Sequence, residues 1–195
     1  MIESIRAHLR MGSGLYAQMA EDLAEPADAA AHLLIDAIRG GHRVYVCGDG
    51  GSAGQAQHIA GEFIGRFLKE RGPLPCVALT TDTSVLTAVA NDYEFESVFA
   101  RQVDALVQEG DVLWALSTSG NSANVLKAAS AAGRKGARLV GMTGRDGGHL
   151  KELCDVVLRV PADSSPAIQE GHLALIHILC GLVEQALFAD DASRT

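Results

Sequence analysis

The sequence has few cysteines and no pattern that would join them. Its four cysteines, Cys47, Cys76, Cys154 and Cys180, are far apart and form no C-x-x-C pair. This spacing argues against both a structural zinc site and a disulfide framework. Three of the four lie in or beside apolar stretches, so we expect buried, reduced thiols.

Positive charge is also scarce. The chain carries 16 Lys and Arg residues against 24 Asp and Glu residues, for a formal net charge of −8, and it has no basic cluster. Direct binding of nucleic acid is therefore disfavoured. An anionic small ligand is compatible with this charge, because backbone N–H groups and helix N-termini bind phosphate without net positive charge.

Long apolar runs are missing as well. No stretch approaches the roughly 20 residues that cross a bilayer. The N-terminus has no basic start followed by an apolar stretch and a small-residue cleavage site, so no secretory signal is expected. Hydrophobic residues make up 48% of the 195 residues, which suits one domain with a substantial core. We expect a soluble, cytoplasmic protein without a membrane partner.

The hydrophobic pattern changes near residue 40. Residues 1–40 have helical apolar spacing, with a start signal at Pro26 and Asp28 and a Gly-Gly stop, and they predict two helices. These helices are expected to belong to the same domain and to serve oligomerisation. The polar tail ADDASRT is expected to fray.

From residue 41 to 190, five short apolar or β-branched runs alternate with helical segments. The runs are RVYVC, PCVALT, VLWALS, ARLVGMT and DVVLRVP. This alternation predicts an α/β fold, a doubly wound five-stranded parallel sheet flanked by helices.

Two of the strand-to-helix loops have the composition of a phosphate site. GDGGSAG follows the first strand; its glycines allow positive φ and close approach to a ligand, and Ser52 stands at a helix N-cap position. TSGNSAN follows the third strand and, with the residue before it, offers four hydroxyls, those of Ser117, Thr118, Ser119 and Ser122. Both loops are expected at the carboxyl edge of the sheet, where a sugar phosphate would suit them.

Other interpretations of these loops stay open. Each one is also consistent with tight-turn chemistry alone. Neither is a P-loop, and GDGGSAG does not complete a dinucleotide fingerprint, so nucleotide binding has weak support. A third turn, TGRDGG at 143–148, is interpreted first as a turn and second as part of the same rim.

The helix after the first loop carries two groups capable of chemistry. His58 and Glu62 are four residues apart and share one helix face, roughly 9–15 Å from the loop by helix rise. The alternative is an exposed His–Glu contact worth a few tenths of a kcal/mol.

The last helix supplies further candidates, Gln169, Glu170, His172 and His177. His177 has apolar neighbours, which also suits a core residue. His172 and His177 are about 140° apart around the helix and should not face one site together, whereas Gln169 and His177 are about 80° apart and can. Spacing alone does not choose among them.

Five segments together resemble a known family. CGDGGSAGQAQHIAGEF, TAVANDYEFESVF, EGDVLWALSTSGNSANVLKAA, GMTGRDGG and IQEGHLALIHIL, in this order from about 40 to 185, are similar to the sedoheptulose 7-phosphate isomerases (phosphoheptose isomerases) of the sugar isomerase (SIS) fold. STSGNS alone would indicate only the SIS superfamily, and residues 41–190 would form the SIS domain.

The resemblance implies a cytoplasmic homotetramer with active sites between subunits, converting sedoheptulose 7-phosphate into D-glycero-D-manno-heptose 7-phosphate through an enediol. It implies one Zn²⁺ per subunit. The implied zinc ligands are His58, Glu62, Gln169 and His177. The implied substrate contacts are Asp49, Gly50, Gly51, Ser52, Glu62, Asn91, Asp92, Ser117, Thr118, Ser119, Ser122 and Gln169.

The chemistry needs such groups. Moving a proton between C1 and C2 requires a base at one carbon and an acid for the carbonyl oxygens; the resemblance gives these roles to Glu62 and His177. Zinc would hold or polarise the oxygens.

The chain departs from the family at two positions. Asp49 stands where Asn is usual, which places a carboxylate beside an anion loop, and Ala167 stands where Arg is usual. The main alternative is a non-enzymatic SIS protein that binds a replication initiator; such relatives lack the Glu/His pair that this chain keeps. The third hypothesis is a different sugar-phosphate aldose–ketose isomerase.

Overall fold

The computed structural model describes residues 1–189, so the predicted polar tail lies, but for Ala189, outside the described residues. A five-stranded parallel sheet forms its centre, with the strand order β2-β1-β3-β4-β5. The strands are β1 (Val44–Cys47), β2 (Cys76–Ala78), β3 (Val112–Leu116), β4 (Arg138–Thr143) and β5 (Val156–Arg159). The doubly wound sheet predicted from the sequence is confirmed.

Helices cover both faces of the sheet. They are α1 (Ile2–Arg39), α2 (Gly51–Ile64), α3 (Thr83–Asp92), α4 (Ala100–Leu106), α5 (Ala123–Arg134) and α6 (Ser165–Leu187), with short 3-10 turns at Phe95–Ser97 and Leu150–Glu152. One apolar core lies under α1, α2 and α6, and a second lies under α3, α4 and α5. The strands are apolar on both sides because both sides are covered.

The N-terminal segment differs from the prediction of two helices. It is a single helix of 38 residues with Pro26 inside it. A proline in a helix interior removes one hydrogen bond and costs about 3 kcal/mol. The helix continues because its apolar stripe, including Leu23, Ala27 and Leu34, is buried and because α1 packs along α6. Burial of that stripe outweighs the local preference to break the chain into two helices at Pro26.

Helix α6 is long and apolar enough, by length and composition, to cross a membrane, whereas the sequence predicts no stretch of this kind. Half of that segment is buried inside the protein, where α6 contacts α1 and α2. Its composition is therefore that of a core helix.

The cysteines agree with the expectation of unpaired thiols. All four are free; Cys47, Cys76 and Cys180 are buried and Cys154 is half-buried. Burial, and next the charge of Asp155, raise the pKa of Cys154 to about 12. Such thiols are poor nucleophiles at neutral pH.

His172 is fully buried on α6, and its Nε2 lies 3.0 Å from the carbonyl oxygen of Thr143. Burial disfavours the imidazolium and lowers the pKa of His172 from 6.5 to about 4, although the bond to Thr143 acts the other way. The unfolded chain therefore takes up this proton at a higher pH than the folded chain.

We predict that this difference makes the protein acid-sensitive. His172 alone should lower the free energy of unfolding by about 2 kcal/mol between pH 7.5 and pH 5, with the loss complete below pH 4. Urea denaturation across this range would measure it. His172→Gln should remove this component while the exposed-histidine control His32→Ala keeps it; equal pH slopes for all three proteins would contradict the prediction.

Candidate active site

Three loops meet at the carboxyl edge of the sheet. The loop after β1 lies beside the loop after β3 because these strands are paired, with Cys47 opposite Ala115. The strand order reverses between β1 and β3, so this edge is the topological switch point of the sheet, where ligands bind in open α/β folds. The third loop, 143–148, bonds to the second through the N–H of Gly144 and the carbonyl of Thr118. All three predicted loops thus share one rim.

Glycine is required at two positions of this rim. Gly50, with φ of 55°, immediately precedes α2, and no atom beyond its chain neighbours lies within 4 Å of the position that a Cβ would take there. Gly120, with φ of 66°, touches the backbone of Gly147, and a Cβ there would lie 2.0 Å from the Gly147 carbonyl oxygen. The first glycine leaves room for a ligand to approach the backbone, and the second lets two loops meet.

The hydroxyls of the second loop are organised in pairs. Ser117 Oγ lies 2.9 Å from Ser122 Oγ, and Thr118 Oγ1 lies 3.4 Å from Ser165 Oγ in the first turn of α6. Ser119 Oγ accepts from the N–H of Asn121. The N-termini of α2, α5 and α6 therefore converge here, each with backbone N–H groups that lack helical partners. This arrangement can bind an anion in an acidic protein.

Asp49 does not present a free carboxylate to the loop. Its Oδ1 accepts a hydrogen bond of 2.7 Å from Nδ2 of Asn124, which is 3% exposed at the start of α5. This bond ties the first loop to the helix that follows the second. At the other departure from the family, Ala167 is 5% exposed in the core.

The chemical cluster predicted from α2 and α6 is assembled. Nε2 of His58 lies 2.9 Å from Nε2 of His177, and 3.4 Å from Oε1 of Glu62. His58 and His177 are 119 positions apart in sequence. The three side chains are half-buried, so a ligand in solvent can reach them. Behind them, burial and next the charge of Glu62 raise the pKa of the Cys180 thiol to about 12.

These three side chains fit a metal ion. One ligand atom from each of His58, Glu62 and His177 lies within 4.8 Å of the others. Two imidazole nitrogens and one carboxylate match the His₂Glu set of catalytic zinc sites. His58, Glu62 and His177 are therefore the residues that would hold such an ion.

Gln169 lies elsewhere on α6. The side-chain amide of Gln169 lies against Gly51, where a Cβ would be 2.6 Å from Nε2. The backbone carbonyl oxygen of Gln169 accepts a hydrogen bond from Nε2 of Gln55. Gln169 and His177 are eight residues apart, or about 12 Å along the helix. Within one chain, the Gln169 amide thus faces the first loop.

The remaining candidates are accounted for as follows. Asn91 and Asp92 end α3, exposed, and Nδ2 of Asn91 donates to Oδ1 of Asp92; within residues 1–189 no hydrogen bond joins either side chain to the loops. Glu170 contacts His8 of α1. His172 points into the core, away from His177, as the helical angle predicted.

Four residues around the site were not singled out from the sequence: Phe67, Arg71, Asn124 and Glu184. Glu184 accepts hydrogen bonds from the backbone N–H groups of residues 67–69. Burial alone would raise the pKa of Glu184, but these bonds and the one from Arg71 outweigh it and lower the pKa. The sequence signal for Glu184 was its position as a lone carboxylate near the end of an otherwise apolar helix.

We predict that the Asp49–Asn124 bond depends on one donor and one acceptor. Asn124→Asp should set two carboxylates against each other and lower the free energy of unfolding at pH 7 by about 1–3 kcal/mol. Asp49→Asn alone should be close to neutral because its amide oxygen still accepts. The double variant restores the pair with exchanged roles and should recover most of the loss.

Urea denaturation of the four proteins would measure this coupling. A double variant as unstable as Asn124→Asp would contradict the assignment.

Comparison with known proteins places these features in context. Residues 9–144 match the model of the SIS domain family. The chain is similar to a phosphoheptose isomerase of Geobacter sulfurreducens, with 50% identity over 96% of this chain and 100% of that protein. It is also similar to a phosphoheptose isomerase of Rhodospirillum rubrum, with 52% identity over 96% of this chain and 99% of that one.

A solved structure gives the same picture. The phosphoheptose isomerase of Neisseria gonorrhoeae superposes with a TM-score of 0.89 at 42% identity, over 94% of this chain and 98% of that chain.

Proposed function

The chain belongs to the SIS domain family and, within it, to the phosphoheptose isomerases; from this premise we propose that it interconverts sedoheptulose 7-phosphate and D-glycero-D-manno-heptose 7-phosphate. One observation carries the proposal. The His58–Glu62–His177 cluster, drawn from α2 and α6, is one part of it, and the glycine loop at the start of α2 is the other. An extended sugar phosphate needs both.

The three-loop rim is proposed to hold the phosphate. Backbone N–H groups at Gly50 and Gly51, the side chain of Ser52 and the hydroxyls of Ser117, Thr118, Ser119 and Ser122 would contact it, while Asp49 fixes the first loop through Asn124. Gln169, whose amide is beside Gly51, would contact the substrate. Asn91 and Asp92, at the end of α3, are also proposed to contact the substrate.

The His58–Glu62–His177 cluster is proposed to move the proton. Glu62 takes a proton from the carbon next to the carbonyl, and the enediol forms as the carbonyl oxygen gains a proton from His177. Reversing the two transfers at the neighbouring carbon gives the isomer. Glu62 and His177 both lie beside His58, with their ligand atoms within 4.8 Å of each other. At this distance the base and the acid can act on neighbouring atoms of one substrate.

Zinc is the proposed cofactor, one per subunit. His58, Glu62 and His177 would hold it, and when bound it would polarise the substrate oxygens as a Lewis acid. Gln169, the fourth ligand implied by the resemblance, lies about two helical turns from His177. We therefore propose that an amide ligand to this ion would come from a second subunit.

A homotetramer is the proposed assembly. An apolar groove of about 540 Å³ runs between α1 and α6, lined by Met19, Leu23, Leu175, Ile178 and Leu182 among others. The first turns of α1 expose further apolar side chains, including Ile2, Ile5 and Leu9. Both are surfaces that a second copy would cover. Sedimentation equilibrium giving a monomer mass would contradict this assembly.

We propose the cytoplasm as the location of the protein.

We predict that Glu62 and His177 are each required for turnover. Glu62→Gln and His177→Ala should each lower kcat by about 100-fold or more, since general acid–base groups contribute at least that much. NMR would follow aldoheptose phosphate formed from sedoheptulose 7-phosphate, with His32→Ala as a surface control at wild-type rate. Absence of wild-type turnover, with or without Zn²⁺, would reject the isomerase and favour the binding-protein alternative.

We predict one zinc site per chain that depends on the same cluster. His58→Ala should weaken zinc binding on the order of 100-fold, because even outer contacts of metal ligands cost 10–100-fold. Isothermal titration of metal-free protein would measure it, with His32→Ala again as control. Unchanged affinity in His58→Ala would place the metal elsewhere.

A further inference from the structure

Among the described residues 1–189, Arg71 and Glu184 form the charged pair with the most hydrogen bonds outside the proposed site. Nε of Arg71 donates to Oε2 of Glu184 over 2.9 Å, and the two side chains are 1% and 3% exposed. Removing two charges from water is costly, and such a pair is often no more stabilising than apolar residues of the same shape. Stability alone is therefore a weak explanation for this pair.

The Arg71 guanidinium binds the end of α2. Nη2 donates to the carbonyl oxygen of Glu62 over 2.7 Å, and Nη1 donates to the carbonyl of Phe63 over 2.9 Å. Carbonyls in the last turn of a helix have no helical donor, and a cation there also opposes the helix dipole. Arg71 thus holds the backbone of the residue proposed as the base.

Glu184 acts on the other half of the cluster. It lies two turns beyond His177 on α6 and accepts from the N–H of Phe67 over 3.0 Å, of Leu68 over 2.9 Å and of Lys69 over 2.8 Å. The ring of Phe67 packs on the His177 imidazole, with centroids 5.8 Å apart and planes tilted by 31°. The carboxylate therefore fixes the segment that sets the orientation of His177.

We propose that Arg71 and Glu184 are positioning residues that set the distance between the base on α2 and the acid on α6. The inference rests on the proposed roles of Glu62 and His177. Neither Arg71 nor Glu184 needs to touch the substrate. The pair joins the two helices just beyond the cluster, so loosening it changes the His58–His177 and His58–Glu62 distances while the anion loops stay in place.

Three variants test this. Arg71→Lys keeps the charge but cannot reach Glu184 and both carbonyls together, because its donors lie on one atom. Glu184→Gln keeps the shape but turns an amide NH₂ toward N–H donors. Phe67→Leu removes the ring from His177 and leaves the ion pair intact. The control is Val103→Ala, a fully buried position in the core on the opposite face of the sheet, assayed at a temperature equally far below its Tm.

We expect each of the three variants to lower kcat at least tenfold, with KM changed less than threefold, since the phosphate loops are untouched. Zinc affinity of the metal-free protein should fall at least tenfold in Arg71→Lys and Glu184→Gln. Val103→Ala should keep kcat and zinc affinity within twofold at a comparable loss of Tm. Parallel losses in Val103→Ala, or wild-type kcat and affinity in all three variants, would overturn the proposal.

A readout without turnover separates this inference from the proposed function. The ring ¹⁵N and ¹H shifts of His58 and His177 in the metal-free protein report their contact directly. If the wild type isomerises nothing, changed ring shifts in Arg71→Lys and Glu184→Gln, against unchanged shifts in Val103→Ala, still support the positioning role. Unchanged shifts in both Arg71→Lys and Glu184→Gln reject it.

Discussion

Helix α6 packs against α2, and the chemistry proposed for this protein depends on that contact. The strand-to-helix unit that begins at Cys47 carries His58 and Glu62, but neither has a partner for acid–base work until α6 returns over the same face of the sheet. The 2.9 Å approach of His58 to His177 follows from this packing. The Arg71–Glu184 pair closes the same helix contact from the far end, where it is hidden from solvent.

The sheet supplies the second requirement of the proposed function, an edge where a chain of net charge −8 would bind an anion. Because β1 and β3 are neighbours at the switch point, their two loops form one rim, and three helices begin there. In the proposed function, backbone N–H groups and hydroxyls would bind the phosphate that lysine and arginine bind in other proteins. Asp49 fits this scheme because Asn124 occupies its carboxylate. The Asp49 side chain is thus part of the framework of the loop.

Several features were within reach of the sequence and others were not. The strands, the loops and the α2 and α6 faces follow from period and turn residues, which act over a few positions. The single helix over Ile2–Arg39 was missed because burial along α6 overrides the signal at Pro26 that predicted the start of a second helix. Arg71 and Glu184 were missed because a charged residue appears the same in sequence whether it is exposed or enclosed. The two residues bond to each other although they are 113 positions apart in the sequence.

The sequence by itself determined the α/β class, the glycine loops, the reduced cysteines and, through five segments, the family. Local patterns record these properties because each depends on neighbouring residues or on a motif as a whole. Tertiary structure alone decided how closely His177 approaches His58, that Gln169 lies against Gly51, and that Asp49 is bound to Asn124. Each of these is a contact between distant segments, and only the packing of α5 and α6 on the rest of the fold fixes the distance.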